Sequence, residues 1–120
     1  MVSWSDCWFG DQLMIRAGAL SIDSQVSVIS GPSGVGKTTL LRGICRWNQA
    51  LNPRLVFQEP TLLPWLSVTE NLRVVCREER LQTHWLDLFD LPQVGDLRPG
   101  QLSLGMQRRI SIIRGILANP

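Results

Sequence analysis

Residues 31–38 read Gly31-Pro-Ser-Gly34-Val-Gly36-Lys37-Thr38, which satisfies G-x-x-x-x-G-K-[ST] without a gap. Three glycines in six positions predict a loop rather than a helix or a strand. Its flanks are equally constrained. Gln25 to Ser30 is a compact β-branched run that predicts a buried strand entering the loop. Leu40, Leu41, Ile44 and Cys45 share one face of a predicted helix that leaves it at Lys37, runs to Trp47 and is interrupted by Asn52-Pro53. Strand, loop and helix in this order form a phosphate cradle. A triphosphate must shed water to bind, and successive backbone N–H groups curled into a nest replace that water. Glycine is needed where φ is positive or where the backbone must touch phosphate. The helix start aims its positive end at the same oxygens. Lys37 adds a point charge at the β- and γ-phosphates, and the Thr38 hydroxyl suits Mg²⁺. The candidate binding residues are Gly31, Pro32, Ser33, Gly34, Val35, Gly36, Lys37, Thr38 and Thr39. The competing reading, a glycine-rich turn with a chance lysine, leaves the agreement of strand, loop and helix unexplained.

Composition narrows the partners. At 120 residues, 44% hydrophobic and 18% charged, the chain is globular and has room for one ordinary domain or part of a larger one. A net charge of +2 argues against nucleic acid or anionic lipid as the main partner. The 12 basic residues are 11 arginines and Lys37 alone, a bias that coding preference explains, yet the single lysine falls in the phosphate loop. Cys7, Cys45 and Cys76 form neither a disulfide ladder nor a metal pattern, which predicts a reducing compartment. No apolar run approaches the roughly 18 residues of a membrane span, and no signal peptide is expected at the N-terminus.

Elsewhere the pattern predicts short strands at Leu13–Ile15 and Leu20–Ile22, broken by Gly18, and a buried strand at Leu55–Phe57. Ser67 and Glu70 form a capping box, opening a helix to about Glu79. A further short helix is expected from His84 to Phe89, then a loop from Pro92 to Pro99. Ser103 caps a last helix with Ile110, Ile113 and Leu117 on one stripe, widened by Ile112 and Ile116. The order predicts an α/β domain with a helical excursion. Arg73, Arg77, Arg80, Arg108, Arg109 and Arg114 read as solvated faces, and His84 as a half-exposed helix residue.

The loop alone leaves kinase, GTPase and motor open, and Gly-Pro-Ser-Gly is also similar to the loop of small nucleotide monophosphate kinases. Two further segments decide. Leu55-Val-Phe-Gln58-Glu-Pro-Thr-Leu-Leu-Pro-Trp-Leu-Ser-Val-Thr-Glu-Asn-Leu72 resembles the Q-loop region of ATP-binding-cassette (ABC) transporter ATPases. Leu102-Ser103-Leu104-Gly105-Met106-Gln107-Arg108-Arg109-Ile110 resembles their LSGGQ signature. With the phosphate loop, the likeness covers about residues 26–120, and the QEPxLLPW form looks most like the nitrate, sulfonate and taurine importers. The resemblance implies a P-loop NTPase with a RecA-like core and a helical subdomain, divided here as 1–58, 59–100 and 101–120. It implies ATP and Mg²⁺ as ligands, with Lys37 and Gln58 as catalytic residues and Thr38 and Gln58 on the metal. Ser103 and Gly105 would meet the γ-phosphate held by a second ATPase subunit, identical or not, although Ser103 also reads as a plain helix cap. Gln58 also reads as a polar strand end. Phe9, or else Trp8, would stack on adenine; with five tryptophans in the chain, a core or surface aromatic is an equal reading. Pro60 to Arg80 would dock on a transmembrane permease, with Trp65 and Leu66 as candidates for docking or for core packing.

The sequence also departs from the family. Leu104 replaces the first signature glycine. The span from Lys37 to Gln58 is 21 residues, shorter than usual, and no four-apolar-then-aspartate run occurs, so an incomplete N-terminal portion is expected, without Walker B carboxylates or switch histidine. The leading expectation is the ATP-binding subunit of an ABC importer, peripheral on the cytoplasmic face of the inner membrane, with little hydrolysis by this chain alone. The alternatives are a non-hydrolysing remnant that binds nucleotide or a partner only, and a small-molecule kinase. The kinase would need an arginine lid after the first helix, where Gln58-Glu-Pro stands instead.

Overall fold

A computed structural model describes residues 2–4, 6–9, 12–15, 18–20 and 27–118. The chain divides into two compact units, Met1–Leu55 and Val56–Pro120.

Among the described residues, the first unit begins with four short strands, β1 (Val2–Trp4), β2 (Cys7–Phe9), β3 (Gln12–Ile15) and β4 (Gly18–Leu20). β1 pairs antiparallel with β4, Val2 opposite Leu20 and Trp4 opposite Gly18. β2 pairs antiparallel with β3, with a register irregularity between Cys7 and Trp8. Only Gly10 and Asp11 separate β2 from β3, the length of a tight hairpin connection. Gly18 opens β4 rather than breaking a strand, while Ser21 and Ile22 lie outside the described residues.

The buried strand expected from Gln25 to Ser30 is not formed over its described residues, 27–30. Residues 25 and 26 lie outside the described residues; Ser27 to Ser30 have no regular structure, and Val28 is 84% exposed. The strand expected at Leu55–Phe57 is likewise irregular, with Val56 and Phe57 exposed. The physical reason is common to both. A β-branched run fits a pleated surface, but a strand exists through its hydrogen-bond ladder, and the ladders among the described residues, β1 with β4 and β2 with β3, include neither run.

α1 spans Lys37–Trp47, as the apolar spacing predicts, and lies beside β1. It ends because Asn48 turns back, its backbone N–H and side-chain amide both donating to Ile44 O at 3.0 and 2.8 Å. A single 3-10 turn, Gln49–Leu51, follows, closed by Asn52 in the left-handed region at φ 46°.

The second unit is built from α2 (Val68–Arg73), α3 (Glu79–Leu88) and α4 (Leu104–Leu117), with α2 and α3 each packed on α4. Its core is Val68, Leu72, Leu91, Val94, Leu102, Ile110, Ile113 and Leu117. The expected stripe of α4 supplies three of these, while Ile112 is 40% exposed. Each fully buried Leu or Ile contributes about 1.5–3 kcal/mol by leaving water.

The helix predicted from Ser67 to about Glu79 stops at Arg73. Val75 N–H turns to Leu72 O at 3.1 Å, tightening the last turn. Buried Gln82 then donates Nε2 to Cys76 O at 2.7 Å, satisfying a carbonyl that a continuous helix would have used. Glu79 starts α3 instead, and pairs with Arg73 across the break at an exposed site.

Candidate functional site

The phosphate loop keeps its curl. Gly34 and Gly36 have φ of 81° and 101°, where an L side chain is strained, so glycine is required by the backbone itself. Lys37 holds the curl from inside, its ammonium donating to Gly31 O at 2.8 Å and Pro32 O at 2.7 Å. That leaves one of its three N–H donors for another acceptor. Gly36 is the N-cap of α1 and offers no side chain. Leu40 N–H closes the first helical bond on Gly36 O at 2.8 Å. Among the described residues, the amides of Gly36, Lys37, Thr38 and Thr39 have no acceptor. The first turn carries no acidic side chain. Gly31 to Val35 and Thr38 are exposed. A cluster of open amides, a cation and a helix start therefore faces outward, with the donor chemistry of an anion site.

The remaining candidates fall elsewhere. Trp8 and Phe9 lie in β2, and the stacking role rests on side chains outside the described residues. Gln58 sits exposed at a bend in the second unit. Ser103 caps α4, its Oγ accepting from Met106 N–H at 3.2 Å, and Leu104 and Gly105 follow it, both exposed. Gln107 braces this turn by donating Nε2 to Pro99 O at 2.9 Å and Leu102 O at 3.2 Å. Trp65 is 66% exposed and Leu66 half-buried. His84 is exposed and meets Trp85 edge-on at 6.0 Å. Among the described residues, no group of three His, Cys, Asp or Glu side chains could hold a metal.

Two arginines are not the solvated residues expected. Arg109 Nη1 donates to Phe89 O at 2.8 Å, closing the end of α3. Arg114 Nη2 donates to both Thr61 O and Thr61 Oγ1 at 2.7 Å. Burial pulls the Arg114 guanidinium below its ordinary pKa. Composition could not reveal these roles, because each arginine serves a carbonyl far along the chain. Asn71 was also missed. Fully buried, it accepts from Leu63 N–H at 2.8 Å and donates to Leu63 O, Leu66 O and Ser67 O, fixing residues 63–67 onto α2. Its signal was a lone amide on the apolar side of a capped helix.

The sequence matches the ABC transporter family over residues 49–120, a stretch that takes in Gln58 and the whole of α4. The chain belongs to the ABC transporter family. Family membership carries the P-loop NTPase fold. The phosphate loop lies outside that matched stretch but inside the likeness to individual ABC proteins. The chain is 33% identical over 126 residues to aliphatic sulfonates import ATP-binding protein SsuB 1 of Paracoccus denitrificans (strain Pd 1222), covering 93% of this chain and 52% of that protein. It is 37% identical over 142 residues to an SsuB 1 of Pseudomonas aeruginosa (strain UCBPP-PA14), covering 93% and 55%. It is 28% identical over 146 residues to the general L-amino acid transport ATP-binding protein AapP of Rhizobium johnstonii (strain DSM 114642 / LMG 32736 / 3841), covering 94% and 57%. The chain spans about half the length of the curated relatives it matches. Alignments of 142 and 146 positions exceed its 120 residues, so those ABC relatives carry residues inside the aligned span that this chain lacks.

Proposed function

We propose that this chain is the ATP-binding portion of an ABC importer ATPase of the sulfonate type, with a RecA-like core and a helical subdomain. The observation that carries the reading is the open start of α1: amides of Gly36 to Thr39 without acceptors among the described residues, above a curl that Lys37 holds shut. A nucleotide triphosphate would complete those donors, with the free N–H of Lys37 and the positive helix end meeting its charge. Thr38 Oγ1 is an exposed hard-oxygen donor that suits Mg²⁺. The family resemblance adds Gln58, and phosphate and water oxygens would supply the rest. Mg²⁺ held there would supply charge neutralisation at the terminal phosphates. Ser103 and Gly105 would face the nucleotide of a second ATPase subunit, and Pro60 to Arg80 would dock on a transmembrane permease at the cytoplasmic face of the inner membrane. Among the described residues no helix is long and apolar enough to cross a membrane.

The 120 residues hold no run of four apolar residues ending in aspartate, so binding without appreciable turnover is expected of the purified chain. Fluorescent-nucleotide titration with Mg²⁺ tests the reading. Saturable binding that Lys37→Ala removes supports it. Equal binding by both forms, or none by either, refutes it, and ATPase turnover at family-like rates refutes the binding-only expectation.

A further inference from the structure

The segment that carries Gln58 is held at both ends by one helix. Before Gln58, Val56 lies against Gly115 of α4: a Cβ at Gly115 would stand 2.5 Å from Val56 Cγ2, too close for any side chain without movement. After Gln58, Thr61 offers its carbonyl and its hydroxyl to Arg114, which donates from one nitrogen to both at 2.7 Å. Arg114 and Gly115 are adjacent in α4, and Thr61 is 53 residues away in sequence. One turn before Gly115, Ser111 is buried with no partner for its hydroxyl among the described residues, so two small residues stand four apart on α4. Between the two anchors, residues 57–60 have no regular structure of their own. A charged, planar donor with two directed protons holds an irregular segment better than neutral contacts do.

We propose that Arg114 and Gly115 are positioning residues that set the place of Gln58: Arg114 clamps Thr61, and Gly115 leaves the seat for Val56. The same helix begins at Ser103, eleven residues before Arg114 and roughly 16 Å away at 1.5 Å per residue. α4 thus mechanically joins the Gln58 segment to Ser103. The role in nucleotide binding rests on the reading of Gln58 as the metal-facing glutamine; the clamp itself does not.

The test uses the whole ¹⁵N-labelled chain. Heteronuclear relaxation at Gln58, Glu59 and Thr61 should drop toward that of a free segment in Arg114→Met and Gly115→Val, with Leu72 and Ile110 unchanged. Arg114→Lys should restore part of the order. Should either α4 variant fail to fold, Thr61→Ala removes one acceptor at an exposed position and should loosen Gln58 to a lesser degree. Unchanged order at Gln58 in Arg114→Met, or in Thr61→Ala if that variant must stand in, overturns the proposal. A second readout separates the clamp from the function. Arg114→Met should weaken Mg²⁺-dependent nucleotide binding about 3- to 10-fold, leave binding in EDTA unchanged, and be non-additive with Gln58→Ala. Lost order with unchanged Mg²⁺ dependence supports the clamp and counts against the metal-facing role of Gln58.

Discussion

The helices α1 and α2 begin in opposite ways. At α2 every early amide is spoken for: Val68 N–H goes to Leu97 O at 2.9 Å, Thr69 N–H to Gly95 O at 3.0 Å and Glu70 N–H to Ser67 Oγ at 3.2 Å. Glu70 returns the favour, its carboxylate accepting from Ser67 N–H at 2.7 Å. At α1 the cap is a glycine in the left-handed region, and the amides of Gly36 to Thr39 find no acceptor among the described residues. α4 lies between the two, with Ser103 closing one amide and those of Leu104 and Gly105 open among the described residues. The lesson is that the same four orphan groups serve two ends. Closed by the protein, they fix the fold; left to solvent, they are donors in waiting.

That contrast can be broken from either side. The largest effect should come at the closed end. Asn71→Ala strands the backbone groups of Leu63, Leu66 and Ser67 and should lower unfolding free energy by about 2–4 kcal/mol, read by urea denaturation, without changing nucleotide affinity. At the open end, Lys37→Ala should weaken MgATP binding by about 2 kcal/mol, roughly 30-fold, in a fluorescence titration, while the urea midpoint moves little. Ser67→Ala removes one half of the capping box and should cost about 1 kcal/mol of stability by the same denaturation assay. Ser103→Ala should cost less, about 0.5 kcal/mol, because no reciprocal carboxylate backs its single bond. A large stability loss in Lys37→Ala, or a binding loss in Asn71→Ala, would erase the distinction between the two helix starts.

The parts legible in the sequence were those decided within a few residues. The bounds of α1, the capping box at Ser67, the cap at Ser103 and the stripe of Ile110, Ile113 and Leu117 follow from local spacing. The curled loop before α1 was legible because glycine placement is a local backbone requirement. What failed depends on distant partners. Val28, Val56 and Phe57 have the composition of strands, and composition cannot supply a neighbouring ladder. The break after Arg73 depends on Gln82 reaching Cys76, which periodicity cannot register. Arg109 and Arg114 looked like surface charge because nothing local reveals carbonyls 20 and 53 residues away.

The buried amide of Asn71 also makes the seating of residues 63–67 depend on a single functional group. Its nitrogen donates to three carbonyls and its oxygen accepts a single N–H. Hydrolysis of that one amide to a carboxylate, by spontaneous deamidation, would exchange a donor for a negative oxygen facing three others. The segment 63–67 would be repelled from α2, so a molecule damaged in this way would differ from a fresh one by about one dalton in mass and by the loss of a whole turn of packing.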